Sequence, residues 1–187
     1  MVPDSDFPEP QRSDEAYFDP PRRGRDGGFD ARLLRQRLTV LPNRPPLVFG
    51  TEDFVAGAMR AMQDQHRGCV LVSSDGTPGG HLAGIFTERD VLNKIIGQGR
   101  NPALVKLSEV MVAEPEALPC DASVAWVLNK MSVGGFRHVP VVDDEGRIAF
   151  VVSVRDVVQF LVEAFPTEVL NLPPEFGAFH EPSRDGA

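Results

Sequence analysis

The stretch Gly84-Ile85-Phe86-Thr87-Glu88-Arg89-Asp90 decides the fold of this chain of 187 residues, because it reads as an apolar strand that runs directly into a helix. A hydroxyl and a carboxylate lie at the junction. Thr87 can cap the helix by accepting a hydrogen bond from a backbone N–H one turn on, and Asp90 can reach back to the end of the strand. The positive end of a helix also attracts phosphate, and a carboxylate can accept two hydrogen bonds from a sugar diol. The junction therefore predicts a helix cap, which could also hold a ligand.

The junction occurs twice, and the sequence around it is duplicated as well. Phe150-Val151-Val152-Ser153-Val154-Arg155-Asp156 lies 66 residues after the first copy and repeats its hydroxyl, its arginine and its aspartate. Further upstream the offset is 69 residues: segment 54–62 matches segment 123–131 in helical apolar spacing, and segment 68–72 matches segment 137–141 as a buried strand. The offset changes within the hairpin turn, which is longer in the first copy. Each copy predicts the order strand, helix, strand, strand, helix.

Composition and charge limit the partners of the chain. The net charge is −8, but residues 31–162 contain fourteen acidic and fourteen basic residues, so this central part is neutral. It has no basic stripe that could follow a nucleic-acid backbone, which argues against a nucleic-acid partner. No apolar run reaches the roughly 18–20 residues that a membrane helix needs, and the N-terminus does not resemble a signal peptide. With two cysteines that lack any paired spacing, these features predict a cytoplasmic protein without a membrane partner.

The pattern divides the chain into segments of different character. We predict four of them: a mobile arm rich in Pro, Asp and Arg (1–30), a first repeat with a leading helix (31–100), a second repeat (101–165) and a loose C-terminal tail (166–187). The leading helix is expected over residues 31–41, where leucines follow a helical spacing. The first strand of the second repeat is expected near residues 116–118.

The two junctions, together with Phe136-Arg137-His138-Val139-Pro140-Val141-Val142-Asp143, resemble a pair of CBS domains, the tandem called a Bateman module. The resemblance covers about residues 33–165, and the lack of an attached catalytic domain is similar to the small stand-alone members of that family. It implies an α/β fold of the α+β type, in which two β-α-β-β-α repeats pack about a pseudo-two-fold axis and leave two clefts. The implied ligand is AMP, ADP, ATP or a related adenosyl compound. Magnesium would be an optional companion of a polyphosphate, and no cofactor is obligatory.

The resemblance also implies which residues would bind such a ligand. Asp90 and Asp156 would accept hydrogen bonds from the ribose hydroxyls, and Thr87 and Ser153 would face the ribose or the α-phosphate. Basic side chains would contact the phosphates, namely Arg89, Arg155, Arg137 and His138. The apolar side chains of Val70 and Val139 would line the adenine site.

Two functions remain open from the sequence. The first is a regulatory sensor of energy state or of a metabolite, which passes nucleotide occupancy on to an unidentified partner protein or through its own homodimer. The alternative is a protein-interaction or oligomerisation module with vestigial clefts. An enzyme is not expected, because no nucleophile–base pair, metal cluster or acid–base pair stands out.

Two further expectations concern single residues. Phe150 replaces Gly84 in the second copy of the junction, and its bulk is expected to narrow the second cleft, so that the first is the better formed. Cys69 lies inside an apolar strand and is expected to be a buried, unreactive thiol.

Overall fold

The computed structural model describes residues 31–42 and 44–165, and the structural statements that follow concern these residues. Contacts divide the chain into residues 1–31 and residues 32–187, and both repeats belong to the second unit. The predicted arm and the predicted tail lie outside the described residues. The segment boundaries therefore remain predictions.

The leading segment is not one continuous helix. Helix α1 (Ala31–Leu34) is short, and a single 3-10 turn follows at Leu38–Val40. Between them Arg37 has extended backbone, with φ −68° and ψ 153°, and forms an antiparallel bridge with Ser123. The predicted helix over residues 31–41 is therefore wrong, because backbone pairing with the second repeat replaces the helical hydrogen bonds in its middle.

The first repeat has the predicted order of elements. Its elements are strand β1 (Val48–Gly50), helix α2 (Val55–Asp64), strands β2 (Cys69–Ser73) and β3 (Leu82–Thr87), and helix α3 (Glu88–Asp90). Helix α3 continues without a break through a π-helical turn (Val91–Ile95) and a 3-10 turn (Ile96–Gln98). Strand β1 is parallel to β2, and β2 is antiparallel to β3.

A short linker leads to a second repeat with the same order. The linker contains helix α4 (Leu107–Val110) and strand β4 (Val112–Ala113), which joins the first sheet beside β3. The second repeat consists of strand β5 (Leu118–Pro119), helix α5 (Val124–Gly134), strands β6 (His138–Val142) and β7 (Ile148–Ser153), and helix α6 (Val154–Ala164). The sheets have the orders β1-β2-β3-β4 and β5-β6-β7. The architecture is thus an α+β fold of two β-α-β-β-α repeats.

Each repeat has its own apolar core, and a third cluster joins the two sheets. Alternate residues of β2, such as Val70, pack under the helices of the first repeat, while Cys69 and Leu71 lie on the opposite face. There they form a buried cluster that includes Ile148 of the second repeat. Because side chains alternate between the two faces of a strand, β2 can contribute to both cores. The hairpins also meet directly, since the N–H of Leu82 donates to Gly146 and that of Ile148 donates to Gly80.

The leading segment completes the core of the second repeat. Leu38 and Leu41 are buried there, next to Val124 and Phe160. Backbone hydrogen bonds fix this placement, because the N–H of Leu38 donates to the carbonyl of Ala122 at 2.9 Å. Residues that precede strand β1 of the first repeat thus pack with the second repeat.

Candidate ligand-binding clefts

Both strand-to-helix junctions form the same capping box. The hydroxyl and the backbone N–H of Thr87 donate to Oδ2 of Asp90 at 2.7 and 2.9 Å. Ser153 makes the same two contacts to Asp156, at 2.7 and 2.8 Å. These bonds satisfy polar groups that a helix start leaves unpaired, which is why α3 and α6 begin where they do.

The two carboxylates differ in their counter-charges. Nζ of Lys94 lies 2.8 Å from Oδ1 of Asp90 and also donates to the carbonyl of Val110 at 2.7 Å. The equivalent of Lys94 in the second repeat is Phe160, which is buried in the core. Oδ1 of Asp156 consequently has no partner among the described residues, and it is free to accept a hydrogen bond from a ligand.

The first cleft, here called the Thr87 cleft, has a volume of about 410 Å³. One wall is the junction of the first repeat, with Thr87, Arg89 and Asp90. The opposite wall comes from the second repeat and includes Arg137 and His138 at the start of β6. Five of the predicted site residues therefore lie together.

The second cleft, here called the Ser153 cleft, has a volume of about 480 Å³. It contains the junction of the second repeat, with Ser153, Arg155 and Asp156, opposite the start of β2 from the first repeat. Arg137 and His138 also line this cleft, so they lie on the wall between the two clefts. Each cleft combines the junction of one repeat with a strand start of the other.

Val70 and Val139 line neither cleft, contrary to the sequence-based expectation. They are 0 and 1% exposed and pack in the cores beneath the helices. Their neighbours Cys69 and Pro140 line the Ser153 and Thr87 clefts instead. Successive residues of a strand point to opposite faces, so the expectation is displaced by one residue.

The expected narrowing of the second cleft by Phe150 is also wrong. Phe150 is 6% exposed and belongs to the core of the second repeat. The position of Gly84 is likewise turned away from its cleft, since a Cβ there would lie 2.9 Å from Cγ of Met111. The next residues, Ile85 and Val151, are the ones that line the clefts.

Burial shifts the pKa of His138 at the shared wall and of Cys69 in the Ser153 cleft. Burial lowers the pKa of His138, Arg137 lowers it further and Asp156 opposes the shift. Burial also raises the pKa of the Cys69 thiol to about 12, against the opposing charge of Arg67. The neutral form of His138 is therefore favoured, and Cys69 is the buried thiol that the sequence predicts.

Glycine at position 68 makes room for the histidine ring. A Cβ at Gly68 would lie 2.8 Å from Cε1 of His138, closer than real Cβ contacts. Gly68 lines both clefts with His138 and Arg137. Any larger side chain at position 68 would displace the ring from the wall between the clefts.

Sequence reasoning missed several cleft residues. They are Arg44 and Arg67 in the Ser153 cleft, and Glu114, Glu116 and Phe136 in the Thr87 cleft. All of them precede a strand by a few residues, as Arg137 does. The 69-residue offset carried the necessary signal, because it aligns these segments with one another.

Residues 31–42 and 44–165 contain neither a metal-binding cluster nor a helix that could span a membrane. Within these ranges no group of three or more His, Cys, Asp and Glu side chains could hold a metal ion. None of the helices there is long and apolar enough to cross a membrane.

Comparison with known sequences gives two matches to one family. The CBS domain family matches residues 38–97 and 107–163, together more than half of the chain. The CBS domain-containing protein CBSX3, mitochondrial, of Arabidopsis thaliana is 35% identical over 124 residues. This match covers 65% of the chain and 59% of CBSX3, so the chain spans less than two thirds of that relative.

Solved structures share the arrangement of the two repeats. CBS domain protein PAE2072 from Pyrobaculum aerophilum, solved in complex with AMP, matches with a TM-score of 0.60 and 22% identity over 68% of this chain and 96% of that one. The CBS domain pair of protein MJ0100, solved with 5′-methylthioadenosine and S-adenosyl-L-methionine, also has a TM-score of 0.60 and 22% identity, over 69 and 98%. At this level of identity the likeness shows a common fold.

Proposed function

The chain belongs to the CBS domain family, as a tandem pair of repeats, and we propose that it is a regulatory module whose clefts bind adenosine-containing ligands. The observation that carries the proposal is the duplicated junction. In both repeats a hydroxyl and a carboxylate at a helix start face a cleft of several hundred Å³ between the repeats. A volume of this order is typical of small-molecule sites.

The residues of the Ser153 cleft suit the three parts of an adenosine nucleotide. Asp156 has a free oxygen for a ribose hydroxyl, and a carboxylate accepting from a diol makes strong, charge-assisted hydrogen bonds. Arg155 and the start of α6 offer positive charge to a phosphate. Leu47 and Val151 give the Ser153 cleft apolar surface for a base, as Ile85 does in the Thr87 cleft.

The solved relatives support the class of ligand. PAE2072 was crystallised with AMP, and the MJ0100 pair with two adenosyl compounds. All three ligands contain adenine linked to ribose, which is the part that the junctions are proposed to recognise. The proposed role is regulatory rather than catalytic, with magnesium entering only together with a polyphosphate.

A homodimer is part of the proposal. Leu92 on the π-helical turn after α3 and Val158 on α6 occupy equivalent positions, and they are 61 and 51% exposed. Ile96 follows Leu92 by four residues, about one helical turn, so the two side chains are neighbours on the helix surface. Ile96 is 64% exposed. A second copy of the chain could cover these apolar surfaces. Sedimentation equilibrium tests this part, and a chain that stays monomeric at all concentrations would contradict it.

Titration calorimetry with adenosine, AMP, ADP and ATP tests the proposed function. We expect binding to wild type and at least about tenfold weaker binding at the altered cleft in Asp90→Asn and Asp156→Asn. Asp144→Asn, on the exposed hairpin, is the control and should bind as wild type does. If no adenine compound binds below about 1 mM, the interaction module with vestigial clefts becomes the better description.

A further inference from the structure

The two clefts differ in the charges that line them. The Ser153 cleft is lined by four arginines and two carboxylates: Arg44, Arg67, Arg137, Arg155, Glu88 and Asp156. The Thr87 cleft is lined by two arginines and three carboxylates: Arg89, Arg137, Asp90, Glu114 and Glu116. The first set is positive on balance, and the second is slightly negative.

Ion pairs involve only one of the two clefts. In the Thr87 cleft, Lys94 pairs with Asp90 and Lys130 pairs with Glu116, so the lining charges left without an ion pair to a described residue are two arginines and the carboxylate of Glu114. In the Ser153 cleft, none of the four arginines forms an ion pair with a described residue. Arg67 donates to the carbonyl of Pro45 at 3.1 Å, which leaves its charge uncompensated. Unpaired guanidinium groups that converge on one cleft attract an anionic ligand.

The difference arises at equivalent positions of the two repeats. The segment before β1 is Arg44-Pro45-Pro46-Leu47, and at the 69-residue offset the segment before β5 is Ala113-Glu114-Pro115-Glu116. At the same offset Arg67 is replaced by Phe136, whose ring is 38% exposed and lines the Thr87 cleft. The two clefts are thus built from equivalent backbone segments. They present different side chains to the part of a ligand that extends beyond the adenosine.

We propose that the two clefts bind different classes of adenosine ligand. The Ser153 cleft takes a nucleotide with a polyphosphate chain, and the Thr87 cleft takes an adenosyl compound whose tail carries no phosphate. This division rests on the proposed function. A polyphosphate in the Thr87 cleft would lie against Glu114, which has no ion pair among the described residues, whereas an uncharged or cationic tail suits this carboxylate and the Phe136 ring.

Crystal structures of the full chain, grown separately with ATP and with 5′-methylthioadenosine, test the assignment directly. We expect ATP in the Ser153 cleft and 5′-methylthioadenosine in the Thr87 cleft. ATP in the Thr87 cleft alone, or both ligands in both clefts at equal occupancy, would overturn the proposal.

Calorimetry with charge variants tests whether the unpaired arginines cause the preference of the Ser153 cleft for ATP. Arg44→Gln removes one unpaired cation without touching a capping box, and it should weaken ATP binding at least about tenfold while adenosine binding stays within about twofold. ATP affinity should also fall as salt is added, because screening weakens charge contacts. Arg60→Gln, an exposed arginine of α2 outside both cleft linings, is the charge-matched control. Unchanged ATP affinity in Arg44→Gln would contradict the proposal.

The outcome separates the two proposals. If no adenine compound binds, the proposed function itself fails. If adenosine and ATP both bind but Arg44→Gln and added salt leave their ratio unchanged, the adenosine function stands and only the division between the clefts fails.

Discussion

At the scale of single residues, the wall between the clefts is the most informative feature. Arg137 and His138 line both clefts, so one pair of side chains serves two sites. The equivalent positions in the first repeat are Gly68 and Cys69. A small residue and a buried thiol therefore leave space for the larger pair, and the wall is asymmetric although the fold is duplicated.

His138 gives the fold a dependence on pH. Burial lowers its pKa in the folded chain, so protonation favours the unfolded chain, in which an exposed histidine has a pKa of about 6.5. The free energy of unfolding should therefore be highest above this pH and should fall as the pH drops through the lowered pKa of the folded state. Urea unfolding between pH 7.5 and about 5 measures the effect.

The matched variants isolate this contribution. His138→Gln should lose less stability than wild type over the same acid range, because it lacks the titrating ring. His81→Gln, at an exposed position of the first hairpin, should follow wild type. Parallel curves for wild type and His138→Gln would contradict the expectation.

At the scale of elements, the pairing of the linker strand β4 with β3 requires a glycine in β3. Gly84 of β3 pairs with Ala113 of β4, and a Cβ at position 84 would lie 3.0 Å from the backbone oxygen of Val112 and 2.9 Å from Cγ of Met111. Backbone cannot turn aside as a flexible side chain can. The fourth strand of the first sheet therefore depends on glycine at this position.

We expect Gly84→Ala to destabilise the fold by about 1–3 kcal/mol, the usual cost of overpacking a filled site. Thermal or urea unfolding measures this cost. Gly79→Ala is the matched control, since a Cβ there meets nothing within 4 Å. Equal stabilities of the two variants would show that β4 adjusts without cost.

The sequence predicted the order of elements and the two junctions because both depend on local signals. The cap residues Thr87 and Ser153 lie beside the helices that they start. The face of a strand is harder to predict when both faces are buried, as in β2, where no polar alternation marks the cleft side of Val70. Arg44 and Arg67 reach a cleft formed with the other repeat, and only the packing of the two repeats brings them there.

At the scale of the whole molecule, no single division of the sequence separates the two repeats in space. Leu38, which precedes strand β1 of the first repeat, is fully buried in the core of the second repeat. The leading segment also adds backbone hydrogen bonds, since Gln36 accepts from the N–H of Val124 at 2.9 Å. The second repeat is therefore incomplete without residues from the start of the described chain.

We expect Leu38→Ala to lower the free energy of unfolding by about 2–5 kcal/mol, because it opens a cavity in that core. Val40→Ala, in the same 3-10 turn but 44% exposed, should change it by less than about 0.5 kcal/mol. Urea unfolding followed by circular dichroism compares them. A Leu38→Ala variant as stable as Val40→Ala would show that the leading segment is dispensable.

The placement of the leading segment also sets an order of events during folding. The hydrogen bond from Leu38 to Ala122 joins residues 84 positions apart, with the whole first repeat in between. Closing so long a loop reduces the entropy of the chain before the contacts form that offset this loss. The first repeat, whose strands β2 and β3 form a hairpin, can assemble earlier. Pulse-labelling hydrogen exchange during refolding should then find the amides of β2 and β3 protected before those of the 3-10 turn and α5.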